Sequence, residues 1–217
     1  SQFLNAQLEE EGKQLEELEV ISEVSDHNVK SLEIGVNKMD IQTIRKLPAF
    51  MGEVDLMKSL LLLPGVTTVG EGTSNINVRG GNSDQNLILM DDAPIFNPSH
   101  LMGLISIFNA DMTKNITLYR GGIPAQYGGR VSSILDIGIR SPNPAKISMQ
   151  GGVGLIANRL LVEGPIVKDK LSFIAGGRFS FPDYLFSLFN SLQDTKANFY
   201  DLTSRLEYTP NSKNKIY

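Results

Sequence analysis

Residues that commonly do covalent chemistry are few in this sequence. Its 217 residues include two histidines, His27 and His100, and no cysteine. The lack of thiols excludes thiolate catalysis, disulfides and cysteine-ligated metal centres within the chain. Neither histidine has partners at metal-ligand spacing, and no serine lies in a nucleophile-elbow motif. The sequence therefore predicts no catalytic residue, no metal site and no cofactor, as expected for a protein that is not an enzyme.

Two other features suggest binding sites but have simpler interpretations. The adjacent carboxylates Asp91 and Asp92 suggest a hard-cation site. Adjacent residues of a strand point to opposite faces, so a role in the turn before Ala93-Pro94 is the better interpretation. The glycine pairs at 80–81, 121–122 and 128–129 lack the Lys-Ser/Thr of a phosphate-binding loop. They predict tight turns.

The composition allows a folded core and argues against nucleic acid as a partner. Hydrophobic residues make up 41% of the chain and charged residues 20%, with a net charge of −4 and no basic cluster that contains aromatic residues. Apolar runs are short, and that of Leu60 to Leu63 ends at Pro64, whereas a membrane-spanning helix needs about 20 residues. Any membrane-spanning part would therefore be a β-barrel. Because the chain begins at Ser1 without a charged and apolar leader, we expect a processed form or part of a longer protein.

The first two thirds of the chain mix helical and strand patterns. Asp40 precedes helical spacing that ends at Pro48, and a second helical period follows Glu53 and ends at Pro64. Short strands are predicted at Ile76 to Arg79, Leu87 to Met90, Ile116 to Arg120 and Ile134 to Ile139, and Asp111 as a helix cap. This mixture predicts a small α+β domain with a mixed β-sheet and short helices.

After Pro142 and Pro144 the pattern becomes alternating. Leu171 to Phe181 and Phe199 to Tyr208 each place apolar residues at every second position. Their lengths match the about 9–11 residues of a tilted membrane-spanning strand, but a strand of a soluble sandwich alternates in the same way. About four such strands are predicted, which is too few to close a barrel.

Five blocks punctuated by glycine and proline follow one another between Leu47 and Ile139. They are Leu63 to Val66, Asn77 to Gly81, Leu87 to Pro94, Arg120 to Gly129, and Ser132 to Ile137. In order and spacing they resemble the plug domain of TonB-dependent outer-membrane transporters. The resemblance implies an N-terminal coupling segment at 1–38, the plug at 39–141, and the first antiparallel strands of an incomplete transmembrane β-barrel at 142–217.

The resemblance also implies a function and a location. Members of this family import large scarce nutrients, namely iron chelates, cobalamin, glycans or peptides, and they perform no covalent chemistry. The plug lies in the barrel lumen of the Gram-negative outer membrane, and the N-terminal segment lies in the periplasm. The expected partners are the TonB periplasmic domain, the remainder of the barrel, outer-membrane lipid and an unknown nutrient.

Three sets of residues gain candidate roles from the resemblance. The segment of Glu17, Leu18, Glu19, Val20, Ile21 and Ser22 lies where the TonB box is expected, and it would bind as an added strand. Its acidic surroundings also fit a solvated leader. Arg79 and Arg120 are implied to face barrel glutamates, because a guanidinium binds a carboxylate in bidentate fashion. The substrate-facing apex loops are implied to include Asn82, Ser83, Asp84, Gln85, Asn97 and His100.

Two features leave alternatives open. The segment Ser1 to Gly12 is similar to the last strand of a carboxypeptidase-regulatory-like domain, which often precedes such receptors. The rival function is a soluble carbohydrate-binding or adhesion module, with its ligand held by long loops. In that case a second sheet would bury the outward apolar residues, whereas in a barrel fragment they would be uncovered. These residues are Phe173, Phe179, Phe181, Leu202, Leu206 and Tyr208.

Overall fold

A computed structural model describes residues 35–47, 53–68, 70, 73–154, 157–180, 198–211 and 214–217. All of these residues belong to one compact unit, Leu32–Tyr217. The chain forms a mixed sheet with short helices (the mixed domain, 36–140), followed by an antiparallel sheet (the strand sheet, 148–216). The predicted fold class is confirmed.

The mixed domain is built from short elements. Its strands are β1 (Val36–Asp40), β2 (Val66–Thr68), β3 (Ile76–Val78), β4 (Asn86–Met90), β5 (Ala93–Pro94), β6 (Ser99–His100), β7 (Ile105–Ser106), β8 (Thr113–Tyr119) and β9 (Ser133–Ile139). Its helices are α1 (Ile41–Ile44) and α2 (Leu56–Ser59), with 3-10 turns at Leu60–Leu62, Ser83–Gln85 and Leu101–Gly103. The main sheet has the order β1-β8-β9-β4-β5, in which β4 and β9 are parallel and the other neighbours antiparallel. Two hairpins, β2-β3 and β6-β7, complete the described part of this domain.

Aspartate caps begin both helices. Asp40 Oδ1 accepts a hydrogen bond from Gln42 N at 2.6 Å, which confirms the predicted cap of α1. Asp55 Oδ1 accepts from the backbone N–H groups of Met57 and Lys58 at the start of α2. The prediction that Asp111 caps a helix is wrong. Its N–H instead donates to Asn109 Oδ1 at 2.8 Å in a turn that leads into β8, whose β-branched and alternating residues favour a strand.

The core of the mixed domain lies between its helices and one face of the main sheet. Ile44 and Leu56 from the helices are fully buried there, with Met57 and Leu60 beside them. On the sheet, Ile116 is opposite Ile137 and Leu118 is opposite Leu135, so their side chains share one face and contact the helices. The other face of the same two strands carries polar residues such as Thr117 and Asp136.

The strand sheet runs in chain order with antiparallel neighbours. Its strands are β10 (Ser148–Val153), β11 (Ala157–Val167), β12 (Leu171–Ser180), β13 (Tyr200–Asn211) and β14 (Asn214–Ile216). The turn between β11 and β12 is closed by Lys170 N donating to Val167 O at 3.1 Å, with Asp169 at positive φ. No helix in the described ranges is long and apolar enough to cross a membrane.

Apolar contacts join the mixed domain to the inner face of the strand sheet. Met112 and Ile139 pack with Leu161 and Ile174, and Ile105 packs with Ala157 and Phe199. Gly176 permits the first contact, because a Cβ at that position would lie 2.6 Å from Met112 Sδ.

Candidate functional site

The two faces of the strand sheet differ in polarity. On β13 the exposed large apolar side chains are Tyr200 at 77%, Leu202 at 79%, Leu206 at 58% and Tyr208 at 46%, and Ser204 between them is exposed as well. The alternate positions Asp201, Thr203, Arg205 and Glu207 are less exposed and face the mixed domain. β12 follows the same rule, with Ser172, Ile174, Gly176, Arg178 and Ser180 buried. The sheet therefore presents a polar face inward and an apolar face outward, as the alternation predicted.

Arg205 on β13 binds the tip of the β4-β5 hairpin. Its Nη1 lies 2.6 Å from Asp91 Oδ2 and also donates to the carbonyl oxygen of Ile139 at 3.1 Å. Asp91 has a φ of +47° and lies in the hairpin turn, where its Oδ1 accepts from Ile139 N. The turn role predicted for Asp91 is therefore present, together with a charge-assisted bond across the interface.

Arg159 on β11 lies between two carboxylates of the mixed domain. Its Nε is 3.0 Å from Asp111 Oδ2, and its Nη1 is 3.5 Å from Glu53 Oε1. Asp111 also accepts from Arg45 Nη2 at 3.0 Å. A cavity of about 240 Å³ adjoins this group and is lined by Arg45, Glu53, Val54, Asn109, Ala110, Asp111, Arg159 and Arg178.

Arg140 fixes the end of the mixed domain to β11. Its Nη1 and Nη2 donate to the two carboxylate oxygens of Glu163 at 2.8 and 2.9 Å. Glu163 also accepts from Asn143 N at 3.1 Å and from Ser148 Oγ at 2.9 Å. A carboxylate with a bidentate guanidinium and two further donors is well compensated for its burial.

His100 and Arg178 share the carboxylate of Asp201. His100 Nε2 contacts Asp201 Oδ1, and its ring stacks on Phe199 with centroids 4.6 Å apart. Arg178 binds Asp201 Oδ2 and donates to the carbonyl oxygen of Ser106 at 2.6 Å. These contacts tie the segment from β6 to β7 to the first residues of β13.

Arg79 and Arg120 lie together on another part of the mixed domain. Arg120 Nη1 donates to the carbonyl oxygen of Pro64, and its Nε is buried without a hydrogen-bond partner in the described residues. Burial lowers the pKa of Arg120, and the nearby charge of Arg79 lowers it further. Gly121 makes room for Arg79, because a Cβ there would lie 2.8 Å from Arg79 Nη1. Neither guanidinium contacts a carboxylate in the described part of the chain.

The residues predicted for the apex loops fall into two places. Asn82 and Gln85 form a capping box around the 3-10 turn, in which Asn82 N donates to Gln85 Oε1 at 3.2 Å. Ser83, Asp84 and Asn97 line one pocket of about 270 Å³, together with Phe96 and Arg130. His100 lies apart from this pocket, at Asp201.

The candidate TonB-binding segment, Glu17 to Ser22, lies outside the described residues. Among the residues that the structure describes, no group of three or more His, Cys, Asp or Glu side chains is arranged to hold a metal ion.

The interface carboxylates and arginines were not identified from the sequence. Glu53, Asp91 and Asp111 are spaced far from Arg159 and Arg205, and Asp91 and Arg205 are 114 positions apart. One feature of the sequence could have predicted these contacts: Arg159, Arg178 and Arg205 occupy inward positions of alternating strands. A charged residue on the inner face of a strand needs a polar partner, which the mixed domain supplies.

Comparison with known proteins agrees with this architecture. Residues 31–133 match the family model of the TonB-dependent Receptor Plug Domain. No curated protein sequence matches the chain.

Solved structures share the fold. They include the siderophore receptor PirA from Pseudomonas aeruginosa (22% identity, TM-score 0.58, covering 84% of this chain and 32% of that one). The ferric yersiniabactin uptake receptor FyuA from Yersinia pestis matches at 16% identity with a TM-score of 0.55, and the match covers 83% of this chain and 30% of FyuA. The outer membrane transporter YddB from Escherichia coli matches at 15% identity with a TM-score of 0.54, and the match covers 82% of this chain and 31% of YddB.

The chain thus spans about a third of the length of these proteins. By their names, PirA and FyuA are receptors and YddB is an outer membrane transporter. Residues 31–133 are thus similar to the TonB-dependent receptor plug domain, and the strands that follow have the fold found in the N-terminal part of such receptors.

Proposed function

We propose that this chain is the N-terminal part of a TonB-dependent transporter that gates the energy-coupled uptake of a large nutrient. The observation that carries the proposal is the packing of the plug on the polar face of a sheet whose other face is apolar and exposed. In a complete barrel the plug would occupy the lumen, and the outward residues would contact outer-membrane lipid.

The outward face also argues against a soluble binding module. Leu202 is 79% exposed, and Leu206 and Tyr208 are exposed as well, whereas Phe173 is half-buried and Phe181 lies outside the described residues. In the described ranges no second sheet covers them. Isolated exposed apolar residues are common on soluble proteins, but a face of such residues across neighbouring strands indicates a partner, which here is lipid.

Coupling to TonB is proposed for Glu17 to Ser22. The segment precedes β1, which among the described residues pairs with β8 at one end of the main sheet. A short segment that takes up an extended conformation on binding can add to the exposed edge of a partner's sheet through main-chain hydrogen bonds. The proposed partner is the TonB periplasmic domain, and the N-terminal segment would lie in the periplasm.

Arg79 and Arg120 are proposed to hold the plug through carboxylates in the rest of the barrel. Two neighbouring guanidiniums with a buried Nε that lacks an acceptor in the described residues form an incomplete site. Glutamates on later strands would supply the missing charge and acceptors. These contacts would be opposite in polarity to those of Asp91 and Asp111, in which the plug contributes the carboxylate.

The ligand-facing residues are proposed to be Asn82 to Gln85, Asn97 and His100. The common pocket of Ser83, Asp84 and Asn97 supports the grouping of the two loops. The candidate nutrients are iron chelates, cobalamin, glycans and peptides. Iron chelates are the first class to test, because PirA is named a siderophore receptor and FyuA a ferric yersiniabactin receptor. We also propose that Ser1 to Gly12 ends a preceding carboxypeptidase-regulatory-like domain.

The test is uptake by cells that produce the complete receptor. Labelled members of the four nutrient classes are supplied to otherwise identical cells with and without TonB. We expect accumulation of at least one class that requires both the receptor and TonB. Accumulation that is equal without TonB, for every class that enters, contradicts the proposed function.

A further inference from the structure

Glu53 is the weakly bonded member of the charged group at the interface between the plug and β11. The residue is 8% exposed, and its Oε1 has no hydrogen-bond partner among the described residues. Its nearest cation, Arg159 Nη1, is 3.5 Å away. With so few donors around a buried carboxylate, its interactions with the protein do not offset the free-energy cost of its lost hydration.

Asp111 holds the better position on the same arginine. It is 3.0 Å from Arg159 Nε and receives a second guanidinium from Arg45. The charged groups that face Glu53 are Arg159 on β11, Arg178 on β12, and Asp111 and Asp55 in the plug. The negative charges of Asp111 and Asp55 oppose the ionisation of Glu53. Arg159 therefore compensates the charge of Asp111 better than that of Glu53.

The cavity beside Glu53 gives water a place to enter. It has a volume of about 240 Å³ and a largely charged and amide lining. Since a water molecule occupies about 30 Å³ of liquid volume, the cavity has room for several. Glu53 Oε1 is nevertheless closed off from solvent in this contact, so water can reach it only when the plug separates from β11.

We propose that Glu53 keeps the contact between the plug and β11 releasable, because its buried carboxylate destabilises the closed contact at neutral pH. Burial raises the pKa of Glu53 above its ordinary value, and this effect exceeds the opposing attraction of Arg159 and Arg178. The closed state therefore binds the proton more tightly than the open, hydrated state. Acidification through the range between the two pKa values strengthens the contact, and a rise in pH weakens it.

This role rests on the proposed transport function, because gated uptake through a lumen that holds the plug requires the plug to loosen some of its contacts with the barrel wall. The Arg140–Glu163 contact has the opposite character, with a bidentate guanidinium and two further donors. The plug would thus be firmly fixed at its C-terminal end and weakly held at Glu53. Contacts that must open during function are commonly less stable than they could be, because a more stable contact would oppose the motion.

The experiment measures amide hydrogen exchange in the complete receptor, without TonB or nutrient. The variant Glu53→Gln keeps the shape of the side chain and removes its charge. Asp111→Asn is the matched control, because it alters the other carboxylate on Arg159. Exchange of the segment 53–63 is followed at neutral and mildly acidic pH and is corrected for the intrinsic pH dependence of exchange. The paired strands β12 and β13 are the internal reference.

We expect Glu53→Gln to slow exchange in 53–63 by about tenfold at neutral pH, as replacement of a poorly compensated buried charge can stabilise. The difference from the natural protein should shrink on acidification, and Asp111→Asn should accelerate exchange. Faster exchange in Glu53→Gln, an effect independent of pH, or equal slowing by Asp111→Asn would overturn the proposal. The readout needs no transport, so a failure of the proposed function would appear separately in the uptake assay.

Discussion

At the scale of single residues, the plug is held to the first strands by a few charged pairs that the fold brings together. Asp91 is an example of one residue with two tasks, because it shapes the hairpin turn and also binds Arg205. Such pairs gain strength from burial, but each buried charge also requires full compensation. Glu163 accepts four hydrogen bonds, whereas Glu53 has one guanidinium at 3.5 Å and no hydrogen bond to Oε1, so only Glu163 is well compensated.

The Asp91–Arg205 pair should be energetically coupled. A double-mutant cycle with Asp91→Ala and Arg205→Ala in the complete receptor should give a coupling free energy of about 1–3 kcal/mol, since the side chains are largely buried and in direct contact. Thermal unfolding or hydrogen exchange of 86–95 provides the measurement. The exposed Lys168→Ala serves as a control and should change stability by no more than about 0.5 kcal/mol. If the effects of the two alanine substitutions on stability are additive, the pair has no coupling free energy and the prediction is wrong.

Asp136 should make plug stability depend on pH. Partial burial raises its pKa, and the charges of Asp92 and Asp91 raise it further. Because the folded pKa exceeds the unfolded one, the cost of its ionisation appears as pH rises through the range between them. Asp136→Asn should therefore raise the Tm of the receptor at neutral pH, and the gain should vanish at a pH below the ordinary range of aspartate. A gain that persists unchanged in acid would refute this explanation.

At the scale of elements, glycines mark where strands approach other backbone closely. A Cβ at Gly164 on β11 would lie 2.8 Å from Ile147 Cα, so Gly164→Ala must displace the segment that leads into β10. We expect a loss of about 1–3 kcal/mol, measured as a fall in Tm. Gly128 has open space around it and no positive φ, so Gly128→Ala should be nearly neutral. Equal effects of the two substitutions would contradict the packing described for β11.

The N-terminal segment should bind TonB as an added strand. Replacing Val20 by Pro removes a backbone donor and should abolish binding of a peptide covering Glu16 to Glu23 to the TonB periplasmic domain. Titration of the peptide and its Val20→Pro variant with that domain measures the effect. If a proline scan across the segment also leaves uptake by the complete receptor intact, the TonB box lies elsewhere.

The sequence predicted elements with a regular period better than contacts between them. The alternation in Leu171 to Phe181 and Phe199 to Tyr208 predicted β12 and β13 and their outward faces, because a strand repeats every two residues. The helices are shorter than their apolar spacing suggested, with four residues each in α1 and α2. The partner of Arg205 was not predictable, since no local pattern connects it with Asp91 114 positions earlier.

At the scale of the whole molecule, the two sheets have complementary surfaces. Arg159 and Arg205 on the inner face of the strand sheet bind carboxylates of the plug, and Glu163 on the same face binds Arg140. Apolar residues of the two surfaces also pack together. The outer face exposes Leu202, Leu206 and Tyr208, and no second sheet of the described residues lies over them. A polar inner face and an apolar outer face are the arrangement expected of a barrel wall that encloses a plug in lipid.

The most direct test of this account is an experimental structure of the complete receptor in a lipid nanodisc. We expect a closed barrel that continues from β10–β14 and surrounds the plug, with Leu202, Leu206 and Tyr208 facing lipid. Arg79 and Arg120 should contact carboxylates of later strands. A structure in which a second protein sheet covers the outward face of β12 and β13, with no lipid contact, would contradict the account.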